Sequence, residues 1–446
     1  MNWRDRAERL LARLVAASAT ERFAISLAAL LSSILVGTLL VLVAGRMTDC
    51  SSAAFVLTHP TPFGLPRRFA VGFCYDPIAV YDRLFLGALG DPFSAGWSPR
   101  NAQMAVTLRE TTVLVFTGLS VAVAFRAGVF NIGTQGQLVV GGFASALTVL
   151  AAAPAVSGIV GTVTLVPLGL LAGAVGGGLY GAIPGALKAY ADANEVITTI
   201  MLNFVATGVV GYLVLNQFKD PTSAATQTRP LPSYADFPAI AFDPRGNFSL
   251  LALGFAVGLV VAVHYLLAHT SFGYDLRTSG LQPEAAEYGG VDAARTVVAS
   301  FALSGALGGL GGSLYVLMIL GNYQTGVPAY GFDGITVSIL AGNNPVGVGF
   351  AALLFGVLKS GTTVVDFATD VPPQLVGVLR GLIILFVAMP EFFRLLGGRL
   401  DRVQRRARRL GSAVATDGGG EADGARATSE RTDETDADGG GGGRNE

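Results

Sequence analysis

Uncharged amide side chains interrupt the apolar stretches of this chain at several places, and they are its first candidates for chemistry. Three of them, Asn131, Gln135 and Gln137, fall within the short run FNIGTQGQ between two apolar segments. An amide donates and accepts hydrogen bonds without a net charge, so clustered amides suit a neutral polyol or a heterocyclic base. The same side chains could instead join helices to one another inside a membrane. The candidate lining residues of a path through the molecule are Asn131, Gln135, Gln137, Asn203, Gln324, Asp333 and Asn343.

Groups that carry out covalent chemistry form no recognisable set in this sequence. The three histidines, His59, His264 and His269, are scattered and show no pattern of metal ligands. No nucleophile stands with a base and an orienting group, and no GxxxxGK[ST] motif is present to hold a nucleotide phosphate. We therefore expect neither a catalytic site nor a metal or other cofactor in this chain.

Apolar residues dominate the composition, since 51% of the 446 residues are hydrophobic and 14% are charged. Several windows exceed the roughly 18 apolar residues that cross a hydrocarbon core as a helix. This profile is typical of an all-α, polytopic membrane protein and argues against a soluble globular fold. The formal net charge is -1. No basic patch with interleaved aromatic residues is visible outside the C-terminal flank, so we expect no nucleic acid partner.

Arginines near both ends of the chain determine the predicted topology. They occur throughout the first 22 residues and again from 394 to 409. By the positive-inside rule both termini are expected in the cytoplasm, and the number of spans is then even. We predict about ten spans, of which the eighth is broken or partly extended. Their approximate ranges are 25–45, 105–125, a third ending near 152, 159–187, 195–216, 248–268, 296–320, 331–344, 347–365 and 374–389.

The remaining segments complete the predicted organisation. Residues 1–24 form a cytoplasmic amphipathic segment that precedes the transmembrane domain, 25–394. Two loops, 46–102 and 217–247, are expected outside, and the second is restricted by several prolines. Residues 395–446 form a basic flank and a polar cytoplasmic tail of low hydrophobicity, which predicts disorder.

The two cysteines, Cys50 and Cys74, fall in the same predicted outer loop. A disulfide would form there if the loop faces an oxidising exterior. Two unrelated free thiols are the alternative. The spacing does not decide between them.

A polar island, 270–295, separates two apolar segments and is the strongest candidate for a partner-docking loop. Pro283 suits the first turn of a short helix, and Glu284 and Glu287 favour its N-terminal end. An ordinary connecting loop with one helical turn would look similar. The candidate docking residues are Glu284, Ala285, Ala286, Gly289 and Gly290.

Two further patterns bear on the architecture. FNIGTQGQLVVGG and YGFDGITVSILAGNNPVG stand at corresponding places five spans apart, which indicates two inverted repeats with a central site at the interrupted segments. Closely spaced glycines in the fourth span predict tight contact with another helix. Glu195 stands at the mouth of a span, where we expect it to cap the helix. A place in the path and a docking contact are the alternatives.

An ordered series of motifs resembles the permease subunits of bacterial and archaeal ABC importers of ribose, simple sugars and nucleosides. The resemblance covers roughly 105–394. It rests on FRAGVFNIGTQGQL, GAIPGALK, NEVITTIMLN, PEAAEYGG with FALSG, and YGFDGITVSILAGNNPVG. GAIPGALK, NEVITTIMLN and YGFDGI look most like the nucleoside permeases. Relatives usually carry a turn richer in Ala and Val where this chain has 277–280, and the long loop 46–102 and the tail are additions.

The resemblance implies the partners and the mode of action. A second permease, identical or paralogous, would complete the core, and two cytoplasmic ATPases would hold ATP and Mg²⁺. An extracytoplasmic lipoprotein would deliver the substrate. Residues 270–295 would be the coupling loop that meets the ATPase, with Glu284, Ala285, Ala286 and Gly290 at the contact. ATPase closure would move the coupling loops and rock the two inverted halves about the central path.

Three rival functions remain open from the sequence. The same machine could carry another substrate, such as ribose, a hexose or a branched-chain amino acid. An ion-coupled secondary transporter would require paired carboxylates within the spans, for which Asp333 and Glu195 are the only candidates. A membrane-embedded enzyme would require a cluster of reactive groups, and the sequence contains none.

Overall fold

The computed structural model describes residues 19–58, 70–243 and 246–388. The predicted segment 1–24 lies largely outside these residues, and the predicted flank and tail, 395–446, lie entirely outside them. The described part of the chain is all-α apart from one small β-hairpin. Its helices are α1 (Ala19–Met47), α2 (Pro77–Phe85), α3 (Ala102–Arg126), α4 (Thr134–Ala152), α5 (Gly158–Ala191), α6 (Glu195–Leu213), α7 (Leu250–His269), α8 (Ser271–Leu281), α9 (Pro283–Tyr288), α10 (Ala293–Leu314), α11 (Tyr330–Leu340), α12 (Pro345–Ala368) and α13 (Pro373–Ala388).

The spans agree with the predicted polytopic fold. Eight helices within the described residues are long and apolar enough to cross a membrane, namely α1, α3, α4, α5, α6, α7, α10 and α12. A ninth, α13, is apolar but shorter. The remaining predicted pass, 331–344, holds the 11-residue helix α11, and the chain 321–329 before that helix is non-helical. Helix α11 is too short to cross a membrane by itself, in keeping with the prediction of a broken or partly extended pass.

Small residues allow α5 and α10 to pack in direct backbone contact. A Cβ added to Gly305 would lie 2.3 Å from the carbonyl oxygen of Gly177, and one added to Gly309 would lie 2.1 Å from that of Gly173. Only residues without side chains permit so close an approach. The glycines of the fourth predicted span therefore serve helix contact, as predicted, and α10 forms the centre of the bundle against α3, α4 and α5.

A reciprocal contact between α3 and α10 relates the two halves of the fold. The Ser120 hydroxyl donates to the carbonyl oxygen of Ser304 at 2.7 Å, and the Ser304 hydroxyl donates to that of Ser120 at 2.6 Å. These helices are the second and seventh predicted spans. Such an exchange across a pair of elements five spans apart is the contact expected at the pseudo-two-fold axis of inverted repeats.

The segment between α1 and α3 holds the hairpin, which the sequence did not predict. Strand β1 (Phe55–Thr58) pairs antiparallel with β2 (Ala70–Phe73). A disulfide joins Cys50 to Cys74, with the two Cα atoms 5.7 Å apart, and fixes the base of the hairpin next to the end of α1. We call this end of the bundle the hairpin end. The other end of α3 lies next to α8 and is called the docking end.

Candidate functional site

The turn between α3 and α4 is held by buried amides. Asn131 donates to Gln137 at 2.9 Å and to the Ser304 hydroxyl at 2.7 Å. Its side-chain oxygen accepts from the Gly133 amide at 3.0 Å and from Gln137 at 3.2 Å. Asn131 and Gln137 are fully buried. Every hydrogen-bonding position of the Asn131 amide is thus occupied by the protein itself.

Two further amides connect this turn to its neighbours. Gln135 accepts from the Gly331 amide at 2.8 Å and donates to the carbonyl oxygen of Pro328 at 3.0 Å, so the first turns of α4 and α11 meet. Asn203 of α6 accepts from the Gly136 amide at 2.7 Å and donates to the carbonyl oxygen of Ile132 at 3.0 Å. In this conformation the amides hold the interrupted helices together, and their role in lining a path stays a prediction.

The other three predicted lining residues lie apart from that cluster. Gln324 is half-buried and pairs with Gln227 of the 217–247 loop in an isolated β-bridge. Asn343 follows α11 with a left-handed φ of 56°, and its carbonyl oxygen accepts from Arg126 Nε at 2.9 Å. Asp333 faces Lys359 of α12. These three residues therefore make contacts of their own, and their role in lining a path stays a prediction.

An ionic network joins α3, α11 and α12 within the spans, and sequence reasoning missed most of it. Glu110 accepts from the Tyr330 hydroxyl at 2.7 Å and from Arg109 at 3.2 Å. Lys359 Nζ lies 3.1 Å from Asp333 and 3.7 Å from Glu110. The same ammonium stands 3.5 Å from the centre of the Tyr330 ring, in cation–π geometry.

The network has equal numbers of positive and negative groups. Arg109 and Lys359 balance Glu110 and Asp333, so its formal charge is neutral. The sequence did contain a signal for this network, because an ionisable residue within a predicted span is a candidate functional residue. Paired carboxylates are also what the ion-coupled rival requires. Here each of them contacts a cation.

The turn between α5 and α6 corrects one prediction. Glu195 does not cap α6. The cap is Asn194, whose side-chain oxygen accepts from the amides of Val196 and Ile197 at 3.0 and 3.1 Å. Glu195 instead pairs with Lys188 at 3.2 Å. A shorter side chain reaches the exposed amides of the first turn more readily, which is why Asn is preferred as an N-cap.

The polar island folds into two short helices at the docking end. Helix α9 begins at Pro283, as predicted, and presents nearly all of its residues to solvent. Tyr288 is 96% exposed, whereas Ala286 is fully buried beneath the helix. Glu284, Ala285, Gly289 and Gly290 are all exposed. The exposed surface of this small helix combines the carboxylates of Glu284 and Glu287 with the apolar Ala285 and the ring of Tyr288, a mixture that could meet a groove on another protein.

Backbone contacts connect this end to the interrupted helices. A Cβ added to Gly280 of α8 would lie 2.6 Å from the carbonyl carbon of Ala127 and 2.7 Å from the Gly128 nitrogen. Gly128 has a φ of 71°, a conformation that L side chains rarely adopt. Arg126, two residues earlier, donates from Nε to the carbonyl oxygen of Asn343, which follows the end of α11. Thus α8 contacts the chain at the end of α3, and Arg126 of α3 forms a hydrogen bond with the chain at the end of α11.

Residues 103–388 match the model of the branched-chain amino acid transport system / permease component family. The chain belongs to this family. It is 33% identical to the nucleoside ABC transporter permease protein NupB of Lactococcus lactis over 73% of this chain and 88% of that protein. It is 34% identical to the guanosine ABC transporter permease protein NupP of Bacillus subtilis over 74% and 90%. The glucose ABC transporter permease protein TsgB13 of Haloferax volcanii is 32% identical over 72% and 82%.

Family membership establishes the general role of the chain. It is a multi-pass permease subunit of an ABC importer, and the ATP is hydrolysed by separate ATPase subunits. The permease itself is not an enzyme. The predicted resemblance is therefore confirmed.

Proposed function

We propose that this permease carries a nucleoside into the cell, in a core of two permease subunits. The two relatives with 33% and 34% identity are a nucleoside and a guanosine permease. Two ATPases that bind ATP and Mg²⁺ drive the movement, and an extracytoplasmic lipoprotein delivers the nucleoside. The observation that carries the importer mechanism is the exposed helix α9, joined through Gly280 and Gly128 to the interrupted helices.

The docking end faces the cytoplasm in this proposal. Its support is that ATP is cytoplasmic, so the surface that meets the ATPases must be there. The arginines of both termini favour the same orientation. The disulfide between Cys50 and Cys74 then lies outside, where oxidising conditions allow it to persist.

In this mechanism, three contacts pass the movement of the ATPases to the interrupted helices. Closure of the ATPases displaces α9 and α8, and α8 pushes the end of α3 through the Gly280–Gly128 contact. Arg126 passes the displacement to Asn343 and therefore to α11. Because α11 starts in mid-span against Gln135, its movement changes the junction of the two interrupted helices. The amides at that junction stay our proposed lining of the path.

Deletion of the chain tests the proposal in cells. Cells without the gene should lose uptake of labelled guanosine and inosine and keep glucose uptake, and the tagged permease should co-purify with an ATPase. Glucose is the second candidate, because a glucose permease is 32% identical. Loss of glucose uptake with normal nucleoside uptake would support the importer function and show that the substrate is glucose and not a nucleoside. Absence of an ATPase from the purified complex would contradict the coupling mechanism.

A further inference from the structure

The ionic network of Arg109, Glu110, Asp333 and Lys359 lies about two helical turns or more from the ends of the membrane-spanning helices α3 and α12, which carry three of its groups. Glu110 is eight residues into α3, about 12 Å along the helix axis. Lys359 lies nine residues before the end of α12, about 14 Å along its axis. Ionisable groups at such depth are costly against lipid, and they usually face a water-filled path or another protein segment.

Glu110 is the structural centre of the network. Its side chain is only 9% exposed and contacts Tyr330, Arg109 and Lys359. These contacts join α3 to α11 and α12. Glu110 is therefore largely enclosed by its partners, and its role is to hold the other groups in place.

Three other groups keep unused hydrogen-bonding capacity. Asp333 contacts Lys359 through Oδ2, and its side chain is 29% exposed. Lys359 has three protons to donate and is 21% exposed. The buried Nε of Arg109 has no hydrogen-bond partner within the described residues. An acceptor on Asp333 and a donor on Lys359 thus remain available next to each other, whereas the Arg109 Nε is enclosed by the protein.

The charge balance restricts what could bind to them. Since the network is neutral, an anionic or cationic ligand would add an unbalanced charge at membrane depth. A neutral ligand with a donor beside an acceptor satisfies both Asp333 and Lys359 without that cost. The edge of a nucleobase has this pattern, because a ring N–H stands next to a carbonyl oxygen in guanine, hypoxanthine and uracil.

We propose that Asp333 and Lys359 form a binding site for the base edge of a nucleoside, positioned by Glu110. Asp333 accepts from the ring N–H, and Lys359 donates to the adjacent carbonyl oxygen. This inference rests on the proposed nucleoside function and adds the residues that recognise the base of the substrate.

The test compares inosine with 1-methylinosine, which lacks the N1–H donor. The complete transporter, with its ATPases and binding lipoprotein, is assayed for kcat/KM of uptake. A hydrogen bond to a charged group corresponds to about tenfold or more in affinity. We expect wild type to prefer inosine by about tenfold or more. Asp333→Asn should lower inosine uptake by about tenfold and change 1-methylinosine uptake less than about twofold.

The control variant is Glu195→Gln, which removes a carboxylate at the α5–α6 turn and should leave the preference unchanged. The preference of the lipoprotein is the same in every variant, so it cancels in the comparison. Equal losses of both substrates in Asp333→Asn, with the ATPases still bound, would overturn the site and leave the nucleoside function intact. Failure of wild type to transport any nucleoside would overturn both.

A measurement on the unmutated protein keeps the test independent of folding. A carbodiimide should modify Asp333 in the membrane, and inosine should protect it, as read by mass spectrometry of the peptide. Protection by inosine and not by 1-methylinosine supports the site. Equal modification with and without inosine would overturn it.

Discussion

Replacement of Gly280 by alanine should uncouple ATP hydrolysis from transport. The new methyl group would lie 2.6 Å from the Ala127 carbonyl carbon and 2.7 Å from the Gly128 nitrogen, both of them backbone atoms. Carbon atoms normally approach to about 3.5–4.0 Å, so α8 and the end of α3 must separate by about 1 Å. Overpacking of this size costs about 1–3 kcal/mol. The cost weakens the contact between α8 and the end of α3, which transmits the movement of α9.

The assay is the number of nucleosides transported per ATP in reconstituted vesicles. Helix α9 is unchanged in this variant, so ATPase binding and ATP hydrolysis should stay close to wild type. A loss of about 1.4 kcal/mol in the coupling free energy corresponds to about a tenfold loss of equilibrium coupling between the ATPase surface and the path, so we expect the ratio to fall. Gly349→Ala is the matched control, because a Cβ there meets no atom within 4 Å. An unchanged ratio in Gly280→Ala, in correctly assembled complexes, would refute the proposed route.

Three other predictions follow from separate parts of the fold. Ala285→Arg places a large charge on the exposed face of α9 and should reduce co-purification of the ATPase more than about tenfold, whereas Ala191→Arg on the exposed end of α5 should not. In intact cells a membrane-impermeant maleimide should label Cys50 and Cys74 only after reduction, and labelling restricted to inside-out vesicles would contradict the orientation. Burial raises the pKa of Asp236 in the 217–247 loop to about 6, so the folded state holds this proton to higher pH than the unfolded state does. Asp236 therefore lowers stability as the pH rises from about 4 to 6, and Asp236→Asn should flatten that part of the pH profile of thermal unfolding.

Local signals were sufficient to predict most of the helices. Apolar length identified the spans, and Pro283 with two nearby glutamates identified the start of α9, because these features act within one turn of helix. The irregular pass at 331–344, which holds the short helix α11, followed from its short, Gly-rich sequence. The hairpin was not predictable in the same way, since its pairing is between strands whose connection spans 59–69 and whose base is closed by a disulfide.

Contacts between distant elements account for what the sequence did not reveal. Glu110 is separated from Asp333 and Lys359 by more than two hundred residues along the chain, and only the packing of α3 against α11 and α12 brings them together. For the amides, the residue types could be seen in the sequence, but their hydrogen-bond partners could not. Asn131 and Gln137 have the composition of a polar lining, but in the folded chain they satisfy each other.

The most direct measurement is nucleoside accumulation by vesicles that contain the purified permease with its ATPases and binding lipoprotein. Labelled guanosine should accumulate only when Mg²⁺ and ATP are present on the side of the docking end. It should be competed by inosine and not by glucose. Accumulation that follows an ion gradient without ATP hydrolysis, or that is specific for glucose, would contradict the account of this chain as an ATP-driven nucleoside permease.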